Sequence, residues 1–101
     1  MHVLDALGSP VRREILIGLR SRPATVGEIA ARFPVSRPAI SRHLATLQRA
    51  GLVTTRASGV HKVYSVRVEG FAPVRAYIDG FWDSALSRLE KLARRESSGE
   101  K

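Results

Sequence analysis

The stretch 25–51, TVGEIAARFPVSRPAISRHLATLQRAG, carries the clearest structural pattern in the chain. Thr25 and Glu28 have the spacing of a capping box, in which each side chain satisfies a free backbone amide at the start of a helix. A proline ends that short helix, Ser36 supplies the cap of the next one, and Gly51 is a typical helix terminator. Two helices joined by a turn of about three residues, the second rich in arginine, predict a helix-turn-helix.

The second helix of this pair is amphipathic. Each residue turns an α-helix by about 100°, so Ile40, Leu44 and Leu47 fall within about 60° of one another and predict a buried face. Ser41 and Arg42 fall outside that face. Because arginine can read guanine in the major groove and serine can contact a base or a phosphate, the exposed face predicts DNA recognition.

The residues that follow predict a β-hairpin. Segments 52–56 and 61–68 are β-prone and partly alternate between apolar and polar residues, and 57–60 between them has the composition of a turn. A hairpin behind a recognition helix is the wing of a winged helix. The residues that we predict to contact DNA are Ser36, Arg37, Pro38, Ser41, Arg42, Arg49, Arg56, His61 and Lys62.

Two further helices precede this unit and one follows it. Segment 4–7 predicts a short opening helix, and a Ser-Pro pair is the start signal of a helix over 10–21. An apolar stripe at three- and four-residue spacing predicts a last helix over 71–97. The expected fold is mainly α with a β-hairpin wing, a winged helix-turn-helix of order α-α-α-α-β-β-α. One domain covers residues 1–96, and 97–101 form a flexible tail.

The last helix is longer than one small domain can cover. At 1.5 Å per residue it measures about 39 Å, and its apolar residues exceed what one core of this size needs. These apolar residues would be buried if the helix packed against a second copy of the chain, so we expect a homodimer formed through the terminal helices. The predicted interface residues are Leu4, Leu7, Ile78, Phe81, Trp82, Leu86 and Leu89.

The charge of the chain indicates an anionic partner. The chain holds 17 Lys and Arg against 9 Asp and Glu, a net charge of +8. Residues 10–67 contain ten arginines and one lysine against two glutamates, which gives +9, whereas residues 68–101 hold six bases and six acids. Arginine's planar fork suits phosphate and guanine edges. Double-stranded DNA is therefore the expected partner.

Composition excludes several classes of function. Among the 101 residues there is no cysteine, so disulfides, thiolate metal sites, iron–sulfur clusters and cysteine nucleophiles are excluded. The sequence has no phosphate-binding glycine loop and no sign of an activated nucleophile, so we do not expect an enzyme. No apolar run has the roughly 18 residues of a membrane span, and no signal peptide opens the chain. We expect a cytoplasmic protein that has no membrane partner.

Five segments together resemble the ArsR-type winged-helix repressors. They are 5–16 (DALGSPVRREIL), 26–30 (VGEIA), 35–44 (VSRPAISRHL), 47–53 (LQRAGLV) and 81–86 (FWDSAL). The resemblance implies a transcriptional regulator that forms a homodimer, binds a two-fold symmetric operator and usually represses. For many members it also implies release of DNA when a metal ion binds.

The metal sites of that family are mostly missing here. The cysteine pair of many members would fall near Thr25 and Gly27, and the last helix has no histidine for the other family site. One metal site is still compatible with the sequence. His2 together with Asp83 or Glu90 of the other subunit would offer nitrogen and oxygen ligands for nickel or zinc. The alternatives are a metal-responsive repressor, a regulator that senses a small molecule or a protein, and one with no effector.

A winged helix can also dock on RNA or on another protein. RNA recognition favours exposed aromatic side chains that stack on bases, but Tyr64 is the one aromatic residue of the wing and shares its side with Val66. Duplex DNA therefore fits better. His43 falls at the edge of the buried face of the recognition helix, so we expect it to bond to a neighbouring element rather than to bind a ligand.

Overall fold

The computed structural model describes residues 2–99, with side chains described up to residue 96. In chain order, the elements are α1 (Val3–Ala6), α2 (Pro10–Ser21), α3 (Val26–Ala30), α4 (Arg37–Arg49), β1 (Val53–Ser58), β2 (His61–Val66), a 3₁₀ turn (Val68–Phe71) and α5 (Ala72–Gly99). This is the predicted winged helix-turn-helix, with α3 and α4 as the helix pair and β1 and β2 as the wing. Among residues 2–99, none of the helices combines the length and the hydropathy of a membrane span.

The helices of the pair begin at the predicted caps. The Thr25 hydroxyl accepts a hydrogen bond from the Glu28 N–H at 3.2 Å, and the Glu28 carboxylate accepts one from the Thr25 N–H at 2.9 Å. The Ser36 hydroxyl accepts from the Ala39 N–H at 3.2 Å. Each cap satisfies amides that have no partner inside the helix, so the start of α4 is set by its own sequence.

The hydrophobic core lies between α2, α4 and the base of the wing. Ile40, Leu44 and Leu47 of α4 are fully buried, as their angular spacing predicts. Ile15 and Leu19 of α2 are also buried in this core. Because the core takes one face of α4, the opposite face is left for solvent.

The hairpin is tighter than predicted. Ala57 and Ser58, which we expected in the turn because of their composition, belong to β1. The turn is reduced to Gly59 and Val60, and Gly59 has φ +61°, as expected of a two-residue hairpin turn with glycine first. β2 ends at Val66 rather than at residue 68, because the chain then enters the 3₁₀ turn. Ala57 and Ser58 thus join β1 because they pair with β2, although their composition is typical of a turn.

The chain enters α5 through a close backbone contact. α4 ends in a Schellman motif, in which the Leu52 N–H donates to the Leu47 carbonyl at 3.0 Å and Gly51 has φ +78°. A Cβ placed on Gly70 would lie 1.8 Å from the carbonyl oxygen of Gly51. The Arg67 N–H donates to the Leu52 carbonyl at 2.8 Å. These contacts fix the direction in which α5 leaves the domain.

α5 projects away from the rest of the chain. It begins at Ala72, one residue later than predicted, and reaches Gly99, so part of the expected tail is helical, while residues 100–101 lie outside the described part. Its 28 residues measure about 42 Å. The radius of gyration is 19.8 Å, whereas a compact domain of this size has about 13 Å. One chain alone therefore leaves most of α5 uncovered.

Candidate nucleic-acid interface

The outward face of α4 presents the residues that the sequence singled out. Ser41, Arg42, Ala45 and Arg49 are exposed on this face. All nine residues that we predicted to contact DNA are exposed, including those of the cap and the wing. The fold thus leaves each of them accessible to a partner, and their contacts with DNA remain a prediction.

Arg37 packs back onto the preceding helix. Its guanidinium lies over Gly27 of α3, where a Cβ would be 3.6 Å from Nη2 and 3.7 Å from Cζ. The side chain remains exposed. This position keeps a positive charge beside the start of α4, where the free backbone amides already favour a phosphate. Helical angles alone did not predict this contact, because it joins two elements.

The register of the wing separates its three basic residues. Directly opposed residues share one face of a hairpin, and Ser58 pairs with His61. Arg56, two residues before Ser58, therefore lies on the same face as His61. Lys62 lies on the other face, in line with Tyr64. The wing therefore offers two basic surfaces, one with Arg56 and His61 and one with Lys62.

A short backbone bridge holds the wing against the helices. The Tyr64 N–H donates to the Ala24 carbonyl at 2.8 Å, and the Ala24 N–H donates to the Tyr64 carbonyl at 3.1 Å. Ala24 lies between α2 and α3, so β2 is anchored to the helices as well as to β1. The Tyr64 side chain packs against the core, as its position in line with Val66 indicates. Sequence patterns did not predict the bridge, because one isolated pair of residues has no periodicity.

Arg12 of α2 links the opening helix to the recognition helix. Its Nε donates to the Ala6 carbonyl at 2.6 Å and its Nη2 donates to the Asp5 carbonyl at 3.2 Å, near the end of α1. Its Nη1 lies 3.4 Å from Nδ1 of His43 on α4. The expectation that His43 bonds to a neighbouring element is confirmed. Because His43 follows Arg42, this link positions the part of α4 that carries the predicted base contact.

We expect acid to destabilise the fold through His43. The pKa of His43 is lowered, first by its partial burial and then by the positive charges of Arg12 and Arg42. The unfolded chain therefore binds this proton more readily than the folded chain. Its contribution to the free energy of unfolding should be complete above about pH 6.5 and should be lost as the pH falls through the folded pKa. Urea denaturation followed by circular dichroism on both sides of that pH measures the loss.

The control for this prediction is His43→Gln. Glutamine keeps a hydrogen-bond acceptor near Arg12 but does not titrate. Its free energy of unfolding should therefore depend less on acid than that of the wild type. An equal acid dependence in both proteins would assign the effect to other groups.

The arginines of α4 and the wing form no ion pairs in the described part of the chain. The ion pairs present in residues 2–96 are Arg22–Glu28, Arg75–Asp79 and Arg94–Glu90. None of them involves α4 or the wing. The positive charges there are therefore available to phosphates, whose neutralisation supplies much of the affinity of proteins for DNA.

Two of the residues that we named as candidate metal ligands form other hydrogen bonds within one chain. His2 accepts the Leu4 N–H on Nδ1 at 3.1 Å and so caps α1. The Glu90 carboxylate accepts a hydrogen bond from Arg94 at 2.6 Å. In residues 2–99, no three histidine or acidic side chains come close enough to hold a metal ion. A shared site with Asp83 of a second subunit remains an untested prediction, and we derive no metal-dependent step.

Comparison with known proteins identifies close relatives. A family profile described as a helix-turn-helix domain matches residues 7–56. The HTH-type transcriptional regulator Rv2034 of Mycobacterium tuberculosis is 42% identical over 88 residues, which cover 87% of this chain and 82% of that protein. The transcriptional repressor SdpR of Bacillus subtilis is 37% identical over 65 residues, or 64% of this chain and 72% of that protein.

Solved structures agree with these sequence matches. The crystal structure of a possible transcriptional regulator for arsenical resistance has a TM-score of 0.75 and 43% identity, covering 88% of this chain and 93% of that one. The ArsR family transcriptional regulator RHA00566 has a TM-score of 0.74 and 30% identity, with 83% and 87% covered. The homodimeric winged helix-turn-helix DNA-binding domain of Mb0332 from Mycobacterium bovis has a TM-score of 0.65 and 28% identity, with 80% and 75% covered.

Proposed function

This chain belongs to the ArsR family of winged helix-turn-helix transcriptional regulators, and on that premise we propose that it is a homodimeric repressor of a two-fold symmetric DNA operator. Proteins of this kind regulate transcription by binding DNA and are not enzymes. We place the protein in the cytoplasm, where its DNA partner is accessible. The observation that carries the proposal is the outward face of α4, whose exposed arginines have no carboxylate partner in the described residues.

The area exposed by one chain supports the dimer. A folded chain of 11.1 kDa exposes about 5,700 Å² on average, but this chain exposes 7214 Å². The excess, about 1,500 Å², is larger than the roughly 800 Å² that each partner buries in a typical stable interface. Much of it lies on α5, where Phe81, Trp82 and Leu89 are each 62% exposed. The structural relative Mb0332 is described as homodimeric.

The fold of each subunit suits a symmetric duplex. In such a dimer the two α4 helices enter successive major grooves about 34 Å apart. Arg42 and Ser41 then face base edges, while the Ser36 cap and Arg37 lie at the start of α4, near the phosphate backbone. Arg56 of the wing provides a further contact outside the major groove. A dimer that covers its operator blocks access to the promoter, and the relative SdpR is named a repressor.

Arg42→Ala should lower the affinity for the operator and relax its specificity at one base pair. The operator is first obtained by selection from a pool of random duplexes, which should yield inverted repeats. A bidentate arginine contact with guanine contributes about 1–3 kcal/mol of discrimination, or about 5- to 150-fold in affinity. Fluorescence anisotropy with the operator and with each single base-pair variant measures the loss.

Arg94→Ala is the matched control for Arg42→Ala. It removes the same charge from α5, where Arg94 pairs with Glu90 and is far along the chain from the helix-turn-helix. Its affinity and specificity should remain those of the wild type. If Arg42→Ala weakened binding to every sequence equally, Arg42 would hold only a phosphate. Selection of sequences without two-fold symmetry would contradict the proposed operator.

A further inference from the structure

The side chain of Arg12 joins α1 to α4. Its Nε donates to the Ala6 carbonyl at 2.6 Å and its Nη2 to the Asp5 carbonyl at 3.2 Å, while its Nη1 lies 3.4 Å from Nδ1 of His43. All three guanidinium nitrogens are thus engaged within the domain, and Arg12 is half-buried. Because a guanidinium presents its donors in a rigid planar fork, partners on two helices hold each helix relative to the other.

α1 is a firm support for this link. Val3 and Ala6 are buried in the hydrophobic core, so this short helix cannot turn without uncovering them. Carbonyls at the end of a helix lack partners inside that helix, and a cationic donor bonds to them more strongly than a neutral one. Arg12 therefore connects α4 to a helix whose own position is set by packing.

On α4, the acceptor of this link is neutral His43. Arginine can only donate, so Nδ1 of His43 must accept, which requires the neutral ring with its proton on Nε2. Partial burial, followed by the positive charges of Arg12 on α2 and Arg42 on α4, lowers the pKa of His43. The fold therefore favours the form of His43 that accepts the bond.

The link acts on the part of α4 that carries Arg42. His43 and Arg42 are consecutive, so a shift or a rotation of α4 at His43 also moves the backbone of Arg42. Ile40 and Leu44 hold the buried face of α4 by apolar contact, which has no preferred direction, whereas a hydrogen bond is directional. A bidentate contact between arginine and guanine requires placement within about 0.5 Å and 10–20°. The bond at His43 can therefore decide whether Arg42 meets a base edge.

We propose that Arg12 is a specificity-determining residue for the operator, because its link from α1 to His43 holds Arg42 at the angle at which Arg42 reads its base pair. Arg12 acts through Arg42 and does not itself contact DNA, so it is a positioning residue. The inference rests on the proposed function and adds a residue behind the DNA-facing surface that sets the discrimination. Since α1 carries Leu4, which we predict to lie at the dimer interface, the same link makes base reading depend on the position of α1.

A double-mutant cycle of Arg12→Ala and Arg42→Ala tests this role. The measured quantity is the discrimination at the base pair that Arg42 reads, defined as the Kd for the operator with that pair replaced, divided by the Kd for the operator. Arg12→Ala should lower the discrimination by about 2- to 30-fold, the range for residues that act on a site without touching it. In the Arg42→Ala background, Arg12→Ala should lower it no further, because the contact that Arg12 positions is already absent. Fluorescence anisotropy measures both Kd values.

Arg13→Ala is the matched control for Arg12→Ala. Arg13 also lies on α2, and its Nη1 donates to the Leu7 carbonyl at 2.7 Å, just after the end of α1. The control therefore removes the same charge and a similar hydrogen bond, but it leaves the bond at His43 in place. Its discrimination should remain that of the wild type. Equal losses in Arg12→Ala and Arg13→Ala would overturn the inference, because the charge of α2 rather than the link to α4 would then matter.

His43→Gln and His43→Leu test the link from its other end and decide the question if Arg12→Ala does not fold. Glutamine offers an oxygen acceptor to Arg12, whereas leucine has a similar size and no acceptor. His43→Gln should keep most of the discrimination, and His43→Leu should lose as much as Arg12→Ala. Circular dichroism and light scattering before each titration show which variants are folded dimers, and the discrimination is compared only among those.

The possible failures of the inference and of the proposed function are distinct. Wild-type discrimination in Arg12→Ala, equal discrimination in the two His43 variants, or a further loss when Arg12→Ala is added to Arg42→Ala would overturn the inference alone. So would an Arg42→Ala protein that keeps its discrimination at every base pair of the operator. A wild-type protein that selects no duplex from the random pool would overturn the proposed function and the inference with it.

Discussion

Trp82→Arg is expected to convert the dimer into folded monomers that have lost most of their affinity for the operator. Trp82 is 62% exposed in the single chain and belongs to the apolar face of α5 that we predict to form the dimer interface. The substitution would bring two guanidiniums together in a desolvated interface, where each loses its water without gaining a partner. In a dimer, the second subunit binds the same duplex and raises the overall affinity by about 10²- to 10⁴-fold. A monomer loses this gain. Light scattering and anisotropy measure the two losses.

Ser87→Arg is the matched control for this experiment. It introduces the same side chain on α5, at an exposed position on the side of the helix away from Trp82. This variant should remain dimeric and should bind the operator as the wild type does. Circular dichroism of Trp82→Arg should show that the helix-turn-helix is still folded. A Trp82→Arg dimer of unchanged size would contradict the proposed interface.

Gly70→Ala is expected to destabilise the fold strongly, because the added methyl group has no space. The new Cβ would lie 1.8 Å from the carbonyl oxygen of Gly51 and 2.7 Å from its carbonyl carbon. Both atoms belong to the backbone that ends α4, so the 3₁₀ turn must move away from the α4–β1 junction. Overpacking of this kind costs about 3 kcal/mol, which lowers the melting temperature of a domain of this size by about 12 °C or more.

Gly80→Ala is the control, because it adds the same methyl group to α5 with nothing within 4 Å. Alanine is favoured over glycine inside a helix by about 1 kcal/mol, so this variant should unfold at an equal or higher temperature than the wild type. Thermal denaturation of both variants by calorimetry provides the comparison. A melting temperature of Gly70→Ala within a degree or two of the wild type would show that the junction adapts without cost.

The two glycines also show how far sequence reasoning reaches. From the sequence, Gly70 is expected just before the last helix and Gly80 inside it, but no sequence pattern indicates that an added methyl group would clash at Gly70 and not at Gly80. Their difference depends on Gly51, a residue nineteen positions before Gly70 that the fold brings into contact with it. The bridge between Ala24 and Tyr64 was missed for the same reason, and so was the identity of Arg12 as the partner of His43, although a bond from His43 to a neighbouring element was expected.

The recognition helix, in contrast, has the start, end and buried face that the sequence predicts. Ser36 at its start, Gly51 after its end and the buried line of Ile40 and Leu44 were all predicted and are all found. Caps and helical faces depend on residues one to five positions apart, so the sequence displays them directly. The turn of the wing was predicted less accurately. Ala57 has the composition of a turn residue, but it pairs with Lys62 across the hairpin and therefore belongs to β1.

Sequence patterns were sufficient to predict the order of the elements, the outward face of α4 and the concentration of positive charge in residues 10–67. These features follow from periodicity, capping and composition, which act between residues close along the chain. The three-dimensional fold was needed to establish which wing residues share a face, how Arg12 joins α1 to α4 and where α5 leaves the domain at Gly70. Those features depend on contacts between distant residues, whose geometry exists only after the hydrophobic core has brought the elements together.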